Sequence, residues 1–425
     1  MTILFAALFG LLLLGVPVFA ATGIAALIYL WIYGLPVLVA AQQLFDAADK
    51  FPLLAVPFFI LAGNLMNSAG ITDRLYRFAH DVCGHLTGGL GHVNIFGSLI
   101  FSGMSGTALA DIGGLGTIEL KAMRDQGYDV RFAVGVTAAS AALGPIIPPS
   151  LPMIIYGMAA ATSVGQLFVA GIVPGLLVAA ALHIMVWIVA RHKGYPVSPR
   201  AGLRQLMVSF WQSLPVLMTP VIIIGGIMFG IFTPTEAAVV ASVYAALIGF
   251  VALGTLTVRE FVAELRNTFE TTAVVMLMTA GALLFGWILV RENAAAEFTT
   301  LMMGLASEPW QAMLILNVVL LICGMIMDPL PILLLATPLM LPMLDQFGID
   351  RVQFGVVMVL NLMIGMMTPP IGVSAFVLAR ISGLSLVETF IACGPWIVPL
   401  LVVLILISVF PALTLWFPGL MFDLP

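Results

Sequence analysis

Apolar stretches long enough to cross a lipid bilayer follow one another along this chain with little charge between them. A bilayer offers the backbone no water, so every spanning N–H and C=O must find its partner inside the protein. Windows of about 20 apolar residues fall near 3–33, 51–70, 132–161, 166–190, 213–232, 236–254, 271–290, 353–379 and 391–417. Two further blocks, 92–118 and 311–343, are interrupted by glycine and proline. The expectation is an all-α polytopic membrane protein with about 11 transmembrane segments. Composition agrees: 62% of residues are hydrophobic and 8% charged, where a soluble domain carries about 25% charged residues. No basic stripe is available to neutralise phosphates, so nucleic acid is excluded as a partner; the bilayer itself is one. Cys83, Cys323 and Cys393 are scattered in or beside apolar runs and read as small buried groups, with neither a disulfide framework nor a metal spacing.

The N-terminal run has no basic residue before Lys50, so it lacks the n-region of a cleaved signal peptide. It reads as a retained transmembrane helix that Gly15-Val16-Pro17 can break. The segment 191–210 reads as an amphipathic surface element.

Basic residues collect on the cytoplasmic side of membrane proteins. Arg74 and Arg77 precede the block 92–118, and Lys121, Arg124 and Arg131 follow it. If that block crossed the membrane, the two clusters would face opposite sides. If it dips in and returns, both are cytoplasmic, and 12 of the 15 basic residues fall on one side, leaving Lys50, Arg291 and Arg351 outside. The block is therefore expected to be a re-entrant hairpin. The same count makes 311–343 a second hairpin entering from the opposite face.

The two blocks match. Gly103-Met104 recurs 221 residues later as Gly324-Met325, Gly144 as Gly365, Pro148-Pro149 as Pro369-Pro370 and Pro174 as Pro395. Ala55 and Gly63 align with Ala273 and Gly281 at the slightly different offset of 218. This predicts one membrane domain over 1–425, with a first inverted repeat at 51–190, a connecting scaffold at 191–270 and a second repeat at 271–420. Inverted repeats meet near the midplane, where broken helices free backbone groups for a substrate or ion.

Four breaks are the candidate sites. In the first half, Ser102, Gly103, Ser105, Gly106 and Thr107 face Gly144, Pro145 and Ser150; in the second, Gly324 and Asp328 face Gly365, Met366 and Thr368. Any one of these glycines or prolines could simply serve packing or a kink; their joint recurrence is harder to assign to packing. Asp328, an ionisable residue inside an apolar block, points to ion or substrate binding, although "DP" also suits the N-cap of a helix starting at Pro329. Arg291 ends an apolar run, where it can snorkel to the interface or meet a substrate carboxylate or a gate. Glu236 suits a helix N-terminus or a pairing with a moving element, and His183 reads as a hydrogen-bonded packing residue.

Rival classes fare worse. "GMSG", Gly103 to Gly106, has the form of an intramembrane serine-protease motif with His183 as base, but the residue 221 positions after Ser105 is Ile326 while the Gly-Met turn persists. No phosphate-binding loop of a primary pump is present in the sequence, and paired hairpins from opposite faces suit alternating access better than a channel. An ion-coupled symporter working without a binding protein stays as the alternative.

At "FSGMSGTALADIGGLGTI", "GPIIPPS", "FTPTEAA", "MDPLPILLLATPLMLP" and "MTPPIG" the chain resembles the large membrane subunit of tripartite ATP-independent periplasmic (TRAP) transporters, over essentially its whole length. The resemblance implies an elevator-type secondary transporter of the bacterial inner membrane, not an enzyme, driven by co-transport of two or more Na⁺ ions. It implies a small four-helix membrane subunit and a soluble periplasmic substrate-binding protein as partners. It implies Na⁺ at Ser102, Gly103, Ser105, Gly106, Gly144, Pro145, Gly324, Asp328, Gly365, Met366 and Thr368. Substrate contacts are expected at Ser105, Thr107, Ser150, Asp328 and Arg291, and gating or partner contacts at Glu236 and Arg291. With no small-subunit segment ahead of residue 1, an unfused form is expected. The substrate class is an organic anion with a carboxylate, such as a sialic acid or a C4-dicarboxylate, and the stretch around "MDPLPILLLATPLMLP" favours sialic acid.

Overall fold

The computed structural model describes residues 1–422. Among them eight helices are long and apolar enough to cross a membrane, and shorter apolar helices fill the rest. The N-terminal run is not one span. It forms α1 (Thr2–Leu13) and α2 (Val18–Ile32), separated at Gly15, whose φ of +79° a β-carbon would strain. The two helices pack on each other, and Leu4 and Leu8 of α1 bury against Ala25 and Tyr29 of α2 and Phe285 of a later helix. Helix α3 (Leu38–Ala48) covers the same helix; Gln42, Gln43 and Asp46 interrupt its apolar residues, so no span-length run forms there.

The first repeat runs through α4 (Ala55–Ser68), α5 (Ile71–Cys83), α6 (Gly89–Ser105), α7 (Ala108–Gly113) and α8 (Leu115–Asp125). It continues through α9 (Val130–Ser140), a single 3-10 turn, α10 (Leu151–Ala159) and α11 (Val164–Lys193). The block expected at 92–118 is thus a helix-break-helix: α6 enters, the chain turns at Gly106-Thr107, and α7 and α8 return along α6. The run 132–161 is a helix broken between α9 and α10.

Residues 191–210 correct the expected surface element. Helix α11 continues to Lys193, residues 195–202 carry no helix, and α12 (Leu203–Met228) has already begun at Leu203. The amphipathic character there comes from the polar ends of two long helices. Helix α13 (Pro234–Leu247) packs along α4, and α14 (Val258–Arg291) is 34 residues long, beginning well before the apolar run at 271. Its first turns are polar because Thr257 and Glu260 form a capping box outside the apolar stretch.

The second repeat follows as α15 (Ala294–Leu305), α16 (Pro309–Ile326), α17 (Pro329–Phe347), α18 (Arg351–Met366), α19 (Val373–Ser382), α20 (Leu386–Val409) and α21 (Ala412–Met421). Helices α16 and α17 form the second hairpin, and α18 and α19 the second broken helix. The alignment of Gly63 with Gly281 does not carry the same surroundings. A methyl on Gly63 would meet the backbone of Met104 and Ser105 at 3.5 Å, whereas one on Gly281 would meet Thr22 Oγ1 at 2.9 Å. Helix α2 occupies the space in front of α14 that the first hairpin occupies in front of α4.

The core lies where the repeats meet. Every residue of α18 from Val352 to Met366 is buried, as is α9 from Phe132 to Ser140. Because α18 has no solvent face, its polar residues need internal partners. Asn361 Nδ2 donates to Asn317 O at 2.9 Å and to Asn317 Oδ1 at 3.0 Å, and Asn317 Nδ2 donates to Ser408 Oγ at 2.8 Å. This chain of amides ties α16, α18 and α20 together. Asn361→Leu strands Asn317 without two of its bonds and is expected to destabilise the protein by roughly 1–3 kcal/mol, read as a lower melting temperature in detergent by thermal-shift measurement.

Candidate functional site

The four breaks come together in two pairs, and each pair is closed by a backbone hydrogen bond. In the first, Leu151 N donates to Gly106 O at 3.2 Å; in the second, Ile371 N donates to Met325 O at 3.2 Å. The two bonds sit at nearly corresponding positions of the repeats. They satisfy carbonyls that the interrupted helices α6 and α16 leave without an intrahelical partner.

Glycine permits the approach. Gly106 adopts φ +62°, and a methyl there would lie 2.7 Å from Pro149 O; a methyl on Gly144 would lie 3.1 Å from Thr107 O. Gly324 and Gly365 touch backbone to backbone, since a methyl on Gly365 would fall 2.5 Å from the Gly324 carbonyl carbon. The pairs also interlock: α7 of the first hairpin packs on α19, and α10 of the first broken helix packs on α17 of the second hairpin.

Three of the four breaks start a helix with a polar cap, the exception being α19, whose N-cap is Gly372. Thr107 Oγ1 accepts from Ala110 N at 3.2 Å, and Ser150 Oγ accepts from Met153 N at 3.2 Å while donating to Pro145 O. The Pro145 carbonyl is therefore taken up by Ser150. Asp328 Oδ1 accepts from Leu330 N at 3.1 Å, so Asp328 caps α17 with one oxygen. Thr368 Oγ1 donates to Ile364 O at 2.7 Å, leaving its lone pairs free, and Met366 closes α18 as a buried residue. Ser102 Oγ is turned into its own helix, donating to Leu99 O at 2.7 Å.

Ser105 differs from these. Its hydroxyl is buried with no hydrogen-bond partner, and it lines a cavity of about 320 Å³ at the tip of the first hairpin. Thr107 lines the same cavity, together with Asn64 and Asn67 of α4 and Thr271 of α14. The sequence reading missed Asn64, Asn67 and Thr271. The signal available for two of them was a pair of asparagines three residues apart inside an apolar run, one helical face in register.

Three expected contacts have further neighbours. Gly103 also packs α6 on α12, since a methyl there would lie 2.6 Å from Pro220 Cβ. Arg291 stands at the end of α14 with its guanidinium 5.6 Å over the Trp287 ring and 4.0 Å from Glu292, and none of these partners comes from a break. Glu236 closes a capping box on its own helix, accepting from Thr233 N and Thr233 Oγ1 at 2.8 Å. His183 is held by His92, Nδ1 to Nδ1 at 2.7 Å, the packing role expected of it.

The geometry of the glycines makes a sharp contrast testable. Gly365→Ala forces a methyl into the Gly324 backbone and is expected to cost about 1–3 kcal/mol, whereas Gly394→Ala, which meets nothing within 4 Å, carries no such cost. Thermal shift on the two variants side by side checks this.

With this arrangement in view, comparison with known proteins is informative. The family model described as "Tripartite ATP-independent periplasmic transporter, DctM component" matches residues 5–413. A sialic acid TRAP transporter large permease protein of Vibrio cholerae is 46% identical over 412 residues, covering 97% of this chain and 96% of that protein. A sialic acid TRAP transporter permease protein of Haemophilus influenzae is 44% identical, covering 97% and 67%, and a C4-dicarboxylate large permease of Pseudomonas aeruginosa 38%, covering 89% and 89%. Among solved structures, the YdaH transporter of Alcanivorax borkumensis has the same fold, with a TM-score of 0.65 at 13% identity over 89% of this chain and 88% of that one. These relatives are transport permeases and not enzymes, and their family is a multi-pass inner-membrane one that works with a periplasmic binding protein and a small membrane subunit. The chain belongs to the DctM component family, the large membrane subunit of tripartite ATP-independent periplasmic transporters.

Proposed function

We propose that this subunit imports an organic anion by Na⁺ symport, moving the two hairpins and their broken helices as one body past a scaffold of the long helices. The observation that carries this reading is the pair of backbone-closed breaks. At each, backbone carbonyl and hydroxyl oxygens gather with no basic residue among them, a surrounding that suits a monovalent cation. Around the first break these are oxygens of the 102–107 and 144–150 segments. Around the second they come from Gly324, Gly365, Met366, Thr368 and the second oxygen of Asp328. The Na⁺ ions are cargo, bound and released with each cycle.

The substrate would occupy the cavity at the first hairpin tip, where Ser105 and Thr107 on the moving side face Asn64, Asn67 and Thr271 on α4 and α14. Hydroxyls and amides suit a cargo rich in hydroxyl and amide groups. That favours a sialic acid over a C4-dicarboxylate, in line with the higher identity to the sialic acid relatives than to the C4-dicarboxylate ones. A small four-helix subunit would dock on the scaffold, and a periplasmic binding protein would deliver the substrate.

Reconstitution tests this. Proteoliposomes holding this subunit and its small partner, supplied with the binding protein, are expected to take up sialic acid only under an inward Na⁺ gradient. Asp328→Ala and Ser105→Ala each abolish that uptake while leaving the two-subunit complex intact on size exclusion. Uptake indifferent to Na⁺ overturns the coupling, and preference for a C4-dicarboxylate overturns the cargo.

A further inference from the structure

A cavity of about 910 Å³ opens between α5, α8 and the start of α12, away from both breaks. Its charged and polar walls come from three helices: Arg77, His80 and Asp81 of α5, Asp125 of α8, and Arg204 and Gln205 of α12. Helix α5 is two-faced. Ile71, Leu75, Ala79 and Cys83 are buried at helical spacing, while Arg77 and Asp81, one turn apart, line the cavity.

The charges here do not neutralise one another. The five ion pairs among the described residues include none of Arg77, Asp81, Asp125 and Arg204. Asp81 Oδ1 accepts from Gln205 Nε2 at 2.7 Å, and His80 Nε2 meets Ser198 Oγ at 3.1 Å. Two guanidinium groups and two carboxylates therefore border one cavity without an ion pair between them. Guanidinium forks bind phosphate oxygens, and a carboxylate accepts charge-assisted hydrogen bonds from an ammonium. A ligand carrying both a phosphate and a primary amine answers all four groups.

Along α12 this cavity adjoins a groove of about 400 Å³, and Arg204, Val208 and Gln212 line both. Met207 and Trp211 complete the groove. Met207, Val208 and Trp211 are 47%, 48% and 62% exposed. With Arg204 they stand at i, i+3, i+4 and i+7 and so share one helix face. The row leads from a cation at the polar end of a spanning helix to bare apolar surface further along it. That is the order of groups in a phospholipid, phosphate first and acyl chain after, with a tryptophan at the level of the membrane interface.

We propose that this cavity and groove bind a phospholipid with a primary-amine headgroup, phosphatidylethanolamine in chemistry. Its phosphate lies between Arg77 and Arg204, its ammonium is directed to Asp81 and Asp125, and one acyl chain follows Met207, Val208 and Trp211. An anionic headgroup without an amine matches the arginines and leaves both carboxylates unpaired. A choline headgroup has no N–H to donate to them. The lipid touches α8 of the first hairpin and α12 together, so its binding favours the arrangement of those two helices seen here. The proposal stands whatever the cargo or the coupling ion.

Fluorescence quenching tests it. The two-subunit complex is placed in phosphatidylcholine bilayers with rising fractions of phosphatidylethanolamine, phosphatidylglycerol or phosphatidylcholine bearing brominated acyl chains. The contribution of Trp211 is the difference between wild type and Trp211→Phe. Brominated phosphatidylethanolamine is expected to quench that contribution at lower fractions than the other two lipids. Arg77→Gln combined with Arg204→Gln is expected to raise the fraction needed for half-quenching by about tenfold, and Asp125→Asn to erase the preference for phosphatidylethanolamine over phosphatidylglycerol. Equal quenching by all three lipids shows only the ordinary lipid annulus and overturns the proposal, as does a preference for phosphatidylglycerol. Quenching in the large subunit alone but not in the complex overturns it in favour of the small subunit as occupant. If the double variant does not assemble, the ranking of the three lipids on the wild-type complex decides.

Discussion

Backbone left unpaired inside a membrane is the constraint on which the rest of this structure depends. Four helices stop within the apolar interior, and each interruption exposes N–H and C=O groups that hydrocarbon cannot satisfy. The protein resolves this by setting the interruptions against one another in pairs: Leu151 bonds to Gly106, and Ile371 to Met325. Neither hairpin is complete without the broken helix it faces. The interlock of α7 with α19 and α10 with α17 joins the two pairs into one body. A body assembled in this way can carry ion sites made of backbone oxygens, because its own hydrogen bonds leave a few carbonyls over.

The repeats agree in backbone and differ in side chains. Both Pro-Pro bonds, Pro148-Pro149 and Pro369-Pro370, are cis, and both hairpins turn at the same relative position. The interior of the first hairpin is polar where that of the second is apolar, and a cavity with a free serine hydroxyl opens at the tip of the first. Shared geometry builds the breaks, and the side chains around them set the halves apart.

Much of this was legible beforehand. The spans, the two hairpins and the break residues follow from hydropathy, basic clusters and the recurrence at 221 residues, since these are one-dimensional traces of requirements imposed on every residue. The elements that escaped were those without a one-dimensional trace. Helix α3 and the polar start of α14 carry no apolar run, and 195–202 joins two polar helix ends that together imitate an amphipathic helix. Arg291 and Glu236 looked available because a formal charge near an apolar run suggests a use. In the structure their own neighbours, Trp287 and Glu292 for one and Thr233 for the other, occupy them.

By itself, then, the sequence determined that this chain crosses a membrane, that it does so twice over in related halves, and where its helices break. Hydropathy and glycine-proline spacing act locally, so they survive in the linear order. Only the tertiary structure decided which element each glycine lets approach, as Gly365 against Gly324 and Gly103 against Pro220. It alone brought Asn64, Asn67 and Thr271 to the tip of the first hairpin, beside a buried Ser105 hydroxyl without a hydrogen-bond partner. Those outcomes depend on distances between residues far apart in the chain, which are set only when the helices have packed.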